Sequence, residues 1–161
     1  MGTLKRTSRV EVTTDASPES VWAVVSDVTR VGDWSHECRG SDWIDGATSA
    51  RPGARFRGRN KLNWRSWSRV NEVVTADAPH ELAWKTIATT MFPDSTQWTI
   101  TLEPVDGGTR IVQRYEVLKL GPIMDRIFYL TTPKHRDRSA ALTDDLRRLG
   151  EVARPGVPAI P

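Results

Sequence analysis

A single cysteine, Cys38, stands in 161 residues. One thiol cannot build a disulfide framework, so a reducing compartment, the cytoplasm, is the expected setting. The three histidines, His36, His80 and His135, are scattered along the chain. They offer no metal-ligand spacing, so no metal or other cofactor is expected. Also missing are a Gly-rich phosphate loop, a Gly-x-Ser-x-Gly elbow and a paired-carboxylate motif, which removes the usual signatures of nucleotide handling and serine hydrolysis. No apolar stretch approaches the ~20 residues that a bilayer span needs. The start, Met-Gly-Thr-Leu-Lys-Arg, carries charge with no apolar run behind it and does not read as a secretory signal. Arg6 also stands where a myristoylation site needs Ser or Thr.

Tyr and Phe are scarce, at two and three, whereas Trp reaches seven. Trp is favoured where a broad flat surface with one N–H donor is useful. The net charge of +3 is a weak field for a chain of this length, and Arg supplies most of the positive charge. The length suits one domain with a core of its own, expected over residues 1–152, with 153–161 as a flexible tail rich in Pro and Gly.

Residues 8–14 alternate apolar and polar and read as a strand. Ser17 as cap, Pro18 in the first helical position and Glu19 in the first turn then open a helix whose apolar face holds Val21, Trp22, Val24, Val25 and Val28. A second short helix or turn follows over 29–34, and a strand over 38–44. Five alternating runs come next, at about 54–62, 66–76, 81–90, 96–104 and 109–119, the last two joined by Asp106-Gly107-Gly108, a strong hairpin signal. The run 122–150 is helical, with Leu142, Leu146 and Leu149 on one face. Pro133 breaks or kinks it, with Thr132 as the expected cap of the restart.

Period-two alternation gives each middle strand a wet side and a sheltered side. The sheltered sets are Ala54-Phe56-Gly58-Asn60, Trp67-Arg69-Asn71-Val73, Leu82-Trp84-Thr86, Trp98-Ile100-Leu102 and Ile111-Gln113-Tyr115. A solid core prefers Leu, Ile and Val; aromatics mixed with hydrogen-bonding groups suit the wall of a ligand cavity. Either these polar side chains form a network around water or ligand, or the register is off by one and they face solvent. Alternation favours the inward reading, and an inward Arg69 requires an acid or a ligand oxygen beside it.

The succession of elements can now be matched to specific residues: Ser17-Pro18-Glu19-Ser20-Val21-Trp22, then Val31-Gly32-Asp33-Trp34-Ser35, Gly53-Ala54-Arg55-Phe56-Arg57-Gly58, Trp67 with Val73-Val74, Gly107-Gly108-Thr109-Arg110-Ile111, and Ala141-Leu142 with Leu146. In this order they resemble the START/SRPBCC superfamily, which includes birch-pollen-allergen-like proteins and the polyketide cyclase/dehydrase family. The resemblance spans about residues 8–150. It implies an α+β helix-grip fold: a curved antiparallel sheet of about seven strands wrapped on a long C-terminal helix, with two short helices after the first strand. It also implies a cavity between sheet and helix for a lipid, isoprenoid or polyketide. Members of such a family carry or sense ligands, and some catalyse cyclisation or dehydration, so fold leaves activity open.

On this reading the ligand-binding residues are Trp34, Phe56, Asn60, Trp67, Arg69, Asn71, Trp84, Trp98, Gln113 and Tyr115, with Phe128 from the helical run. Trp22 and Trp43 are assigned to packing. In a cyclase or dehydratase, Arg69 would stabilise an enolate and Tyr115 would move a proton, but no base is evident among the inward residues. Tyr115 reads first, however, as a packed side chain with a bonded hydroxyl. His36 and Glu37, beside Trp34 at the expected cavity mouth, are the only His–carboxylate neighbours in sequence, and in an extended stretch they point to opposite sides. His80 falls in a turn and His135 on a charged helix face. Arg55, Arg57, Arg59 and Lys61 share an outward sheet face, read first as solvated and paired with neighbouring acids. The alternative is a platform for peripheral contact with an anionic membrane. Nucleic acid is disfavoured there, because Phe56, the aromatic that could stack on bases, is on the other side.

Overall fold

The computed structural model describes residues 2–155. β1 (Thr7–Thr14) is followed by α1 (Pro18–Val25) and a 3-10 segment (Val28–Asp33). β2 (Cys38–Ile44), β3 (Arg55–Leu62), β4 (Arg65–Asp77), β5 (Glu81–Thr86), β6 (Ser95–Val105) and β7 (Gly108–Lys119) follow. The chain closes with α2 (Pro122–Thr131), a second 3-10 segment (Pro133–His135) and α3 (Ser139–Val152). The strands make one curved antiparallel sheet in the order β1-β7-β6-β5-β4-β3-β2, so that the first strand reaches across to the last. With the C-terminal helix against it, this is a helix-grip fold.

Local chemistry accounts for the element boundaries. The Ser17 hydroxyl accepts the Ser20 N–H at 3.1 Å and starts α1, which buries Val21, Val24 and Val25. Asp27 caps the following 3-10 segment by accepting the Thr29 N–H. Between β6 and β7, Gly107 takes a φ of 77°, a conformation glycine adopts without steric penalty. Gly108 lies so close to β1 that a Cβ there would collide with the Thr14 carbonyl oxygen. β5 stops at Thr86, four residues short of the expected end, as the chain leaves the sheet for the loop to β6.

The C-terminal run is interrupted more thoroughly than a kink. Proline has no N–H to donate and its ring clashes with the carbonyl four residues back, so α2 ends before Pro133 and α3 begins only at Ser139. Thr132 makes no side-chain cap; the restart is held instead by Asp137, whose carboxylate accepts the Ser139 N–H at 2.9 Å. α3 buries Leu142, Leu146 and Leu149 against β1, and also Asp145 and Gly150. A Cβ on Gly150 would lie 2.8 Å from that of Thr14, so glycine there sets how closely helix and strand approach. α2 is a contrast: its one buried residue is Asp125, bonded to the Leu4 N–H and to Arg6, while Ile123, Ile127 and Leu130 stay exposed. Ala153, assigned by sequence to the tail, is instead buried in the core and caps α3. Residues 156–161 of that expected tail lie outside the described residues. No helix among the described residues is long and apolar enough to cross a membrane.

Candidate functional site

A cavity of about 710 Å³ lies between the inner face of the sheet and the C-terminal segments. Strand pairing puts Asn60 opposite Trp67, Phe56 opposite Asn71, and Trp98 opposite both Trp84 and Tyr115, so their side chains share one face of the sheet. Phe56 and Asn60 reach the cavity from β3, Trp67, Arg69 and Asn71 from β4, and Trp84 from β5. Trp98 comes from β6, Gln113 and Tyr115 from β7, Trp34 from the end of the first 3-10 segment and Phe128 from α2. The eleven residues that the sequence named as ligand-binding candidates all line this one space. The one-residue register slip does not occur.

The two catalytic candidates are both occupied by structural partners. Arg69 donates from Nη1 to both Asp94 carboxylate oxygens, at 3.0 and 3.1 Å, and from Nη2 to the Asp94 carbonyl at 2.9 Å. Its guanidinium also sits over the Phe92 ring. The acid that an inward Arg69 required is thus supplied by the loop between β5 and β6. Tyr115 packs on Trp98 with ring centroids 5.2 Å apart and donates its hydroxyl to the Lys5 carbonyl at 3.2 Å. Burial pushes the Tyr115 phenol up; Arg138 works against that rise and Asp137 adds to it. The phenol stays protonated at neutral pH.

Two polar atoms in the cavity wall have no partner among the described residues. They are the indole nitrogen Nε1 of Trp34 and the side-chain oxygen Oε1 of Gln113, both in buried side chains. One is a donor and the other an acceptor. Asn71 is satisfied in part, donating to the Arg69 carbonyl at 3.3 Å.

The sequence put His36 and Glu37 at the cavity mouth but did not anticipate the cluster they form with His135 and Asp145. His36 and Glu37 both line the cavity, against the expectation that they point apart. The chain bends at these two residues before β2 begins, so strand alternation does not apply to them. His135 belongs to the 3-10 segment after the Pro133 break and also lines the cavity; it is not on a charged helix face. Its Nε2 lies 3.0 Å from Oε2 of Glu37 and its ring meets Trp67 edge-on. Asp145 accepts the His36 backbone N–H at 2.9 Å and faces Nδ1 of the same residue at 2.7 Å. Arg148 bonds the Asp145 carboxylate and donates to the Trp34 carbonyl, which ties α3 to the cavity end. One signal was available: Asp145 sits on the leucine face of α3, where a carboxylate requires a partner.

Burial alone would raise the Glu37 carboxyl, but the His135 hydrogen bond and the charges of Arg138, His135 and His36 together hold it below its ordinary value. Cys38, next along the wall, has its thiol pushed up by burial, only partly offset by hydrogen bonding to the Ser41 hydroxyl and the Gly40 backbone. Among the described residues no group of three or more His, Cys, Asp or Glu is arranged to hold a metal ion. On the outer face of the sheet, Arg55 pairs with Glu72 at 2.9 Å and Arg59 pairs with Asp42.

Solved structures share this architecture at low sequence identity. TTHA0849 from Thermus thermophilus aligns with a TM-score of 0.68 at 18% identity, covering 91% of this chain and 96% of that one. Major latex-like protein 151 from Panax ginseng aligns at 0.67 and 13% identity, covering 94% and 100%. DynU16, from the dynemicin biosynthetic locus, aligns at 0.64 and 16% identity, with 96% of this chain matching 49% of that one. No curated protein matches the chain. The family model described as polyketide cyclase / dehydrase and lipid transport matches residues 5–152, nearly every element from β1 to α3, and the chain belongs to that family.

Proposed function

We propose that the protein binds a mostly apolar small molecule, of lipid, isoprenoid or polyketide type, in the cavity between sheet and C-terminal helix, and carries or senses it. The observation that carries this reading is the wall itself. About 710 Å³ is enclosed by indole and phenyl surfaces, with one unpartnered donor on Trp34 and one unpartnered acceptor on Gln113. A space of that size holds a drug-sized ligand. Leaving a buried polar atom without a partner costs about 1–3 kcal/mol, which a ligand bearing a hydroxyl or carbonyl would recover. The described family supports this reading, since both polyketide chemistry and lipid transport handle molecules of this kind.

The test is native mass spectrometry of gently purified protein, followed by extraction of whatever is bound. One apolar molecule per chain, released unchanged, supports carriage or sensing. Failure of every lipid, isoprenoid and polyketide-type compound added back to bind would sink it.

A further inference from the structure

The cavity has a polar end whose atoms are arranged for proton transfer. Asp145 is almost fully buried and its carboxylate can only accept, so at 2.7 Å it takes the proton of His36 Nδ1. That hydrogen bond leaves the lone pair on Nε2. The His36 backbone N–H bonds the same carboxylate at 2.9 Å, which fixes the ring against α3. The imidazole keeps 28% of its side-chain surface accessible and lines the cavity. Its Nε2 stands 3.8 Å from Oε2 of Glu37, too far for a hydrogen bond and near enough for charge to be felt. Glu37 is in turn held by His135. Charge developing on the His36 ring therefore meets a carboxylate on each side. The remaining charged groups here are Arg148, bonded to Asp145, and Arg138, which lines the cavity over Trp98 and makes no ion pair among the described residues.

Resting on the binding reading above, we propose that His36 is a general base of the cavity, moving a proton to and from a carbon next to a carbonyl of the bound molecule. The Nε2 lone pair takes the proton. The C–H bonding pair becomes the carbon–carbon double bond of an enolate, and the carbonyl π pair moves onto oxygen, where Arg138 is the cation available to it. Returning a proton from Nε2 to the carbon completes the cycle without oxidant, reductant or co-reactant. Asp145 and Glu37 are positioning residues: one fixes the tautomer, and the other faces the charged ring. The base that the inward strand residues lack is supplied from outside the sheet.

Deuterium incorporation into 2-tetralone, an apolar ketone with acidic C–H bonds beside its carbonyl, tests this in D₂O. The rate is compared at saturating probe, with occupancy read from ligand line broadening, so a change in affinity does not enter. Wild type is expected to exchange above buffer, and His36→Gln to lose about 10²-fold of that rate. A ¹⁵N spectrum of His36 in the wild type is expected to show the Nδ1–H tautomer, and Asp145→Asn to disturb it. Bound probe with no exchange above buffer, equal exchange in His36→Gln, or an Nε2–H tautomer each overturns the base while leaving the binding reading intact. Failure to bind by the ketone and by every lipid, isoprenoid and polyketide-type compound contradicts both.

Discussion

Oδ2 of Asp145 lies 2.7 Å from Nδ1 of His36, joining the last helix to the bend before β2 across more than a hundred residues of sequence. The contact does two things. It gives a second partner to a carboxylate on the buried face of α3 that Arg148 also bonds, and it sets which nitrogen of His36 looks into the cavity. Fold and site are coupled at this point: the helix that closes the core also orients the His36 ring in the cavity wall.

Glu37 gives a pH prediction with a definite sign. Its folded-state pKa is lowered from an ordinary 4.5, so its contribution to stability is present above that value and lost as pH falls through the lowered one. Urea midpoints followed from about pH 6 down to about pH 3 should fall more steeply in wild type than in Glu37→Gln. Parallel acid limbs in the two proteins would show that the carboxylate contributes nothing to folding.

The Arg69–Asp94 pair is mostly shielded, with side chains 12% and 19% exposed, but it is not fully buried. Removing one partner from a buried pair costs about 3–5 kcal/mol, and solvent access reduces that to about 1–3 here. Asp94→Ala should lower stability by that amount in urea denaturation and make the loop between β5 and β6 the first site of proteolysis. The double replacement Arg69→Met with Asp94→Leu should recover most of the loss. An unchanged midpoint in Asp94→Ala would mean the pair only fixes geometry.

Gln113→Leu should leave stability unchanged or raise it by about 1 kcal/mol, because it removes a buried oxygen that has no partner. The same change should erase a preference for 2-naphthol over naphthalene, about tenfold for a hydrogen bond of ~1.4 kcal/mol. Titration of both compounds against both proteins reads it directly. An undiminished preference for 2-naphthol in the variant would place the polar anchor elsewhere.

Burial separates the two halves of the C-terminal run. Leu146 is fully buried, and Leu146→Ala should cost about 2–5 kcal/mol. Ile123 on α2 is 75% exposed, and Ile123→Ala should stay within about 0.5 kcal/mol. Denaturant midpoints for the two variants would reveal at once whether α2 is part of the cooperative core.

Strand parity was legible because β3 to β7 obey a rule with a period of two: once Trp67 and Asn71 are placed inside, Arg69 must follow. The leucine spacing of α3 was legible for the same reason at a period of 3.6. What could not be read were contacts made where no period operates. His36 and Glu37 lie in a bend, His135 in the short segment that Pro133 forces on the chain, and their meeting depends on how far α2 and α3 are separated. Nor does alternation choose a partner: it required an acid for Arg69 and could not say that Asp94, in a loop, would be the one. The outward face was read first as paired with neighbouring acids, and two of its arginines do pair: Arg55 with Glu72, which stands opposite it, and Arg59 diagonally with Asp42, whose register partner is Arg57.

The measurement that tests the central claim most directly is a titration with N-phenyl-1-naphthylamine, an uncharged apolar fluorophore, followed by energy transfer from the cavity tryptophans. The account predicts saturation at one probe per chain, displacement by fatty acids or aromatic polyketides, and loss of the signal in Asn71→Phe, which fills the cavity from β4. A signal that never saturates, or one that persists unchanged in a folded Asn71→Phe protein, would contradict it.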